Sequence, residues 1–157
     1  MELNLNTFIV MLIIGFSCQA LAVQNKVPAN TTKKLFQHIL RDARVTEEKI
    51  AEIKAGSASE YISVKPVDLN GDGKPEYIVE GLKPPLMGML AGYTWIYEKK
   101  NGEYVLIGDF GAPENVTPLK SEHNGYRDIK VSLSLNSGQK VVHYKFEFNG
   151  NKYVLKH

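Results

Sequence analysis

The chain has 157 residues and a formal charge of +2, with 19 Lys and Arg against 17 Asp and Glu. The signs are well mixed, and Lys33-Lys34 and Lys99-Lys100 are isolated pairs, so the pattern excludes a nucleic-acid binding signature. The single cysteine, Cys18, excludes an internal disulfide, and the length suits one core rather than two full domains.

Residues 8–16 are an unbroken apolar run, followed closely by Ala20-Leu21-Ala22. A short apolar segment ending in small residues is the pattern of an export signal. It is too short to cross about 30 Å of hydrocarbon, which takes roughly 20 apolar residues. Residues 1–22 therefore read as a signal peptide cleaved after Ala22, giving a periplasmic or secreted protein with no membrane span. The leader carries Glu2 and no Lys or Arg ahead of the run, so a buried N-terminal element is the competing reading. Cys18 raises lipidation as a further alternative, against which Phe16 fits the required pattern badly. Cleavage would remove the one thiol, and with it any cysteine nucleophile or thiolate metal site.

Residues 23–30 are polar, contain Pro28, and read as a flexible N-terminal arm. The spacing of Leu35, Phe36, Ile39 and Leu40 predicts a helix over 31–43, with Asn30 or Thr31 as its cap. Thr46 begins a second, shorter helix through Ile53, stopped near Gly56. Beyond Gly56 the period becomes alternating, predicting strands over 61–67, 77–80, 93–99, 103–110, 128–135, 140–148 and 152–156. Asn101-Gly102 and Asn149-Gly150 are hairpin turns, and residues 136–138 join two further strands. The expected fold is α+β, an antiparallel meander-like sheet with one face wet and the other covered by the N-terminal helices, forming a single domain over 31–157.

One stretch carries chemistry. Counting Asp68 as position 1 of an EF-type loop, Asn70 is 3, Asp72 is 5, the Lys74 carbonyl is 7 and Glu76 is 9, with Gly73 at the sharp turn. Those positions supply oxygens to Ca2+, which takes 6–8 of them. Position 12 is Val79 rather than Glu, and both flanks read as strands, so this is not an EF-hand. The plain alternative is an Asx-rich turn whose side chains satisfy their own backbone amides without an ion.

Residues 67–79, VDLNGDGKPEYIV, resemble the calcium-binding strand–loop–strand unit of FG-GAP and related VCBS repeats, and in their first part the loop of dockerins. The resemblance implies a metal-ligand role for Asp68, Asn70, Asp72, Lys74 (through its backbone carbonyl) and Glu76. In those repeats the unit recurs around a β-propeller; one copy stands here, so the loop is implied and the architecture is not. The whole chain also resembles small exported bacterial proteins of unassigned function that pair such a loop with a GYRDI segment, here Gly125-Tyr126-Arg127-Asp128-Ile129.

Residues 82–92, LKPPLMGMLAG, offer Leu86, Met87, Met89 and Leu90 as a partner-binding loop, or as a plug folded into one end of the sheet. Tyr93, Trp95 and Tyr97 share one strand face, as core or as an exposed aromatic platform. No nucleophile elbow, phosphate loop or dinucleotide fingerprint occurs; His123 beside Asp128 is the least implausible catalytic pair. The pattern points to an exported binding protein with a structural calcium loop, of inhibitor or immunity type, acting on a periplasmic or extracellular protein. A cell-envelope hydrolase and a purely structural assembly factor are the alternatives.

Overall fold

The computed structural model describes residues 27–156 apart from 43, 47, 49, 51, 52, 54–56, 136 and 137. The leader, half of the arm, and parts of the expected second helix and of the 136–138 turn lie outside the described residues. Helix α1 (Ala29–Ile39) buries Leu35, Phe36 and Ile39, the helical stripe read from the sequence. It begins inside the expected arm, after Pro28, with no side-chain cap, and stops at Ile39 rather than at 43. Glu48, Ile50 and Ile53 are helical, and the Ile50 N–H donates to the Thr46 carbonyl at 3.0 Å. A short α2 (Ala58–Tyr61), held by the Glu60 carboxylate accepting the Ser57 N–H at 3.1 Å, takes the first residue of the expected strand.

Strands β1 (Ile62–Val67), β2 (Glu76–Gly81), β3 (Thr94–Lys100) and β4 (Glu103–Asp109) form one antiparallel sheet in that order. Strands β5 (Asn115–His123), β6 (Tyr126–Leu135), β7 (Lys140–Phe148) and β8 (Tyr153–Leu155) form a second. The fold is α+β, with the N-terminal helices packed on the sheet region, and the meander is divided between two sheets. Strand β5 was not expected. Its Pro118 and polar Thr117, Lys120, Ser121 and Glu122 hide the alternation, and it is tolerated because β5 is an edge.

The first sheet is buried on both faces, which corrects the expectation of one wet face. Val79, Trp95, Tyr97 and Tyr104 pack with Leu35, Phe36 and Ile39 of α1. The opposite face sends Ile78, Ile96 and Ile107 against Ile129, Val131, Phe148 and Tyr153 of the second sheet. The three layers run helix, sheet, sheet. Trp95 is fully buried and Tyr97 nearly so, which makes this aromatic row core rather than an exposed platform. Near the helical layer, Asp42 accepts from Arg44 Nη2 at 2.6 Å and from Trp95 Nε1 at 3.0 Å. The Arg44 guanidinium lies over the Tyr93 and Trp95 rings and also reaches Asp109 at 2.9 Å.

Candidate functional site

Three regions carry the chemistry read from the sequence. The first is the loop over 68–76, which leaves β1 and returns as β2. Asp68 accepts the Gly71 N–H through Oδ1 at 2.7 Å and the Gly73 N–H through Oδ2 at 3.0 Å. Asn70 Oδ1 accepts the Asp72 N–H at 3.0 Å, and Asp72 Oδ1 accepts the Lys74 N–H at 2.8 Å. Gly73 has φ +79°, a conformation costly for a residue with a Cβ, and this lets the chain fold back on Asp68. Each of these oxygens has a second lone pair free of the amide it accepts. The donors are hard oxygens, which suits Ca2+ better than a soft or borderline metal.

Glu76 is turned inward. It is 2% exposed, and its Oε2 accepts the Leu69 N–H at 2.7 Å. Burial pushes its carboxyl up to about 7, and the nearby Glu98 and Asp72 carboxylates push the same way. The loop is stitched to the second sheet: the Arg127 N–H donates to the Leu69 carbonyl at 2.8 Å, and Asn70 Nδ2 donates to the Tyr126 hydroxyl at 3.3 Å. The two motifs of the sequence resemblance, far apart in the chain, therefore touch. Arg127 also donates through Nε to the Leu119 carbonyl at 2.7 Å, and its own carbonyl accepts the Tyr153 hydroxyl at 2.8 Å.

The second region lies on the face of the second sheet turned away from the first. The β5–β6 turn brings His123 Nδ1 to 2.7 Å from Asp128 Oδ1, so the pair singled out in the sequence is assembled. Glu147 on β7, which sequence reasoning missed, joins them with Oε1 at 3.5 Å from His123 Nε2. Their ligand atoms all lie within 4.8 Å of one another, a His/Asp/Glu set capable of coordinating a metal ion. Two ammonium groups balance the carboxylates: Lys145 Nζ is 2.8 Å from Asp128 Oδ2 and 3.0 Å from Glu147 Oε1, and Lys156 Nζ is 2.9 Å from Glu147 Oε1. Burial pushes the Asp128 carboxyl up, but Lys145, Ser121 and His123 outweigh it and leave it below the ordinary range. The only sequence signal for Glu147 was its place among the polar residues alternating with Val142, Tyr144, Phe146 and Phe148.

The third region is the loop over 82–92. Its base is tight: a Cβ on Gly92 would fall 1.8 Å from the Gly81 carbonyl oxygen, and one on Gly81 1.8 Å from the Leu86 oxygen. The Tyr93 N–H donates to Leu86 O at 3.0 Å and the Gly88 N–H to Ala91 O at 2.8 Å. Leu86 is fully buried in the helix-side core, so it is a plug and not a contact residue, because its carbonyl and side chain both close the base. Met87 is half-buried, while Met89 is 98% and Leu90 61% exposed. The loop thus divides into a buried base and an exposed apolar tip.

The chain matches no protein-family model, no curated protein and no solved structure. Among the described residues no helix is long and apolar enough to cross a membrane.

Proposed function

We propose that this chain is an exported protein that works by holding a protein partner on the Met89–Leu90 tip, with a Ca2+ ion bracing the loop over 68–76. The observation that carries the reading is the exposure of these two adjacent apolar side chains on a loop whose base is pinned by backbone contacts. A pinned loop loses little conformational freedom when a partner covers it, and burying Met and Leu returns apolar area to a dry contact. The calcium part rests on the hard oxygens of Asp68, Asn70 and Asp72, each accepting an amide of the same bend, with the Lys74 carbonyl and Glu76 completing the set that the sequence resemblance implies. On this reading the chain is an inhibitor or immunity protein of the cell envelope.

The hydrolase reading has one observation in its favour, the His123–Asp128 pair. It is the weaker reading, because the second ring nitrogen of His123 faces the Glu147 carboxylate rather than a hydroxyl or thiol nucleophile. Capture from envelope extract in calcium, comparing the natural chain with a Met89→Ser, Leu90→Ser double variant, tests the proposal. A discrete envelope protein held by the natural chain and lost from the folded double variant is the expected result. Equal capture by both ends the assignment of that loop.

A further inference from the structure

Asp128 presents a separate problem in electrostatics. Its side chain is 0% exposed, on the first turn-proximal stretch of β6, and its Oδ2 takes no hydrogen bond of good geometry although Lys145 Nζ lies 2.8 Å away. A carboxylate so far from water demands a cation. The groups that face it are Ser121 and His123 from β5 and Lys145 and Glu147 from β7, and the ladder hydrogen bonds of these neighbouring strands hold the donors in place.

We propose that His123, Asp128 and Glu147 form a binding site for one divalent transition-metal ion of the zinc class, and that the Lys145 ammonium competes with the ion for the same two carboxylates. His123 Nδ1 faces Asp128 and Nε2 faces Glu147, so the half-exposed ring must turn for one nitrogen to join both carboxylate oxygens. That makes a three-ligand set with a position left for water, and zinc accepts it at about 2.0–2.2 Å per bond. The imidazole directs the choice toward zinc, copper or nickel and away from calcium, which the oxygen-only loop over 68–76 favours. The Lys145 ammonium, close to both carboxylates, marks where positive charge is stabilised. It is 31% exposed and Lys156 52%, so both can swing into water, whereas the Asp128 carboxylate cannot. A bound ion would clamp β5, β6 and β7 together at one end of the second sheet. This site shares no ligand with the loop over 68–76 or with the Met89–Leu90 tip.

Zinc chloride titrated calorimetrically into untagged, chelator-stripped protein tests the site. The expected result is one ion per chain with micromolar affinity and a rise in melting temperature. His123→Ala and Glu147→Gln, both at partly exposed positions, should each weaken binding by about tenfold or more. Lys145→Met should tighten it, and Asp68→Ala should leave it unchanged. Less than one ion per chain at about 100 µM zinc, roughly a 5 kcal/mol interaction, would overturn the proposal. So would affinity that is the same in His123→Ala, since the ion would then be held without His123, by another group such as His38, His143 or His157. Affinity unchanged by Lys145→Met would refute the competition.

Discussion

The Arg127 backbone N–H donates to the carbonyl of Leu69 at 2.8 Å, joining the acidic loop of the first sheet to the opening residues of β6 in the second. Leu69 is itself fully buried in the inter-sheet core, so the loop is anchored by a side chain and by a hydrogen bond at one residue. Changes within the loop should therefore register as changes in global stability.

Asp68 accepts two loop amides, from Gly71 and Gly73. Asp68→Ala leaves both to water and should cost about 1–2 kcal/mol in chelator. If calcium occupies the loop, the gap between natural and variant protein widens in millimolar calcium, because only the natural chain gains binding energy. Thermal unfolding of both proteins, with and without calcium, measures it. A gap that stays constant would count against the ion.

Glu76 gives a pH dependence whose sign follows from its environment. Its carboxyl is raised from 4.5 to about 7, so the folded state holds the proton more tightly than the unfolded chain. In chelator, this contribution to stability is full below about pH 4.5 and is lost as pH rises to about 7, after which it is flat. At about 1.4 kcal/mol per unit the loss is roughly 3 kcal/mol. Glu76→Gln keeps an oxygen for the Leu69 amide and should remove most of this slope. Urea midpoints between pH 4.5 and 8 test it, and parallel curves for the two proteins would refute the assignment.

Asp42 behaves oppositely. The Arg44 guanidinium holds its carboxyl down to about 2, against the cost of burial and with help from Trp95. Its contribution is present above pH 3.8 and is lost as pH falls toward about 2. Asp42→Asn should lower stability at pH 7 by about 1–3 kcal/mol and by much less at pH 2. Denaturant unfolding at both pH values provides the comparison; an equal penalty at each would show that the charge is irrelevant.

The loop over 82–92 predicts a contrast between neighbours. Gly92→Ala sets a methyl against the Gly81 carbonyl, so backbone must move, at a cost of about 2 kcal/mol or more. Leu90→Ser removes an exposed side chain and should change stability by less than about 0.5 kcal/mol. Similar melting temperatures for the two variants would mean the loop base is loose.

Much of this architecture was legible in the residues. The helical stripe of Leu35, Phe36 and Ile39, the turns at Asn101-Gly102 and Asn149-Gly150, and seven of the eight strands follow from local periodicity and turn chemistry. The Asx-rich bend was legible for the same reason: Asp68, Asn70 and Asp72 bond amides two to five residues onward. Strand β5 was hidden, because an edge strand needs only one hydrogen-bonded neighbour and tolerates Pro118 and a polar face.

Other features were decided between segments distant in the chain. Alternation shows that Ile78 and Val79 point to opposite faces, but not that each face meets its own layer, one helical and one a second sheet. Nor does it show that Leu86 turns in while Met89 turns out, which depends on the close approach of Gly81 and Gly92. Glu147 joins His123 and Asp128 only because β7 pairs with β6 in one register, and a slip of one residue would turn it to the opposite face. Local chemistry sets the elements; the burial of apolar faces against one another, which no single segment encodes, sets which charges meet.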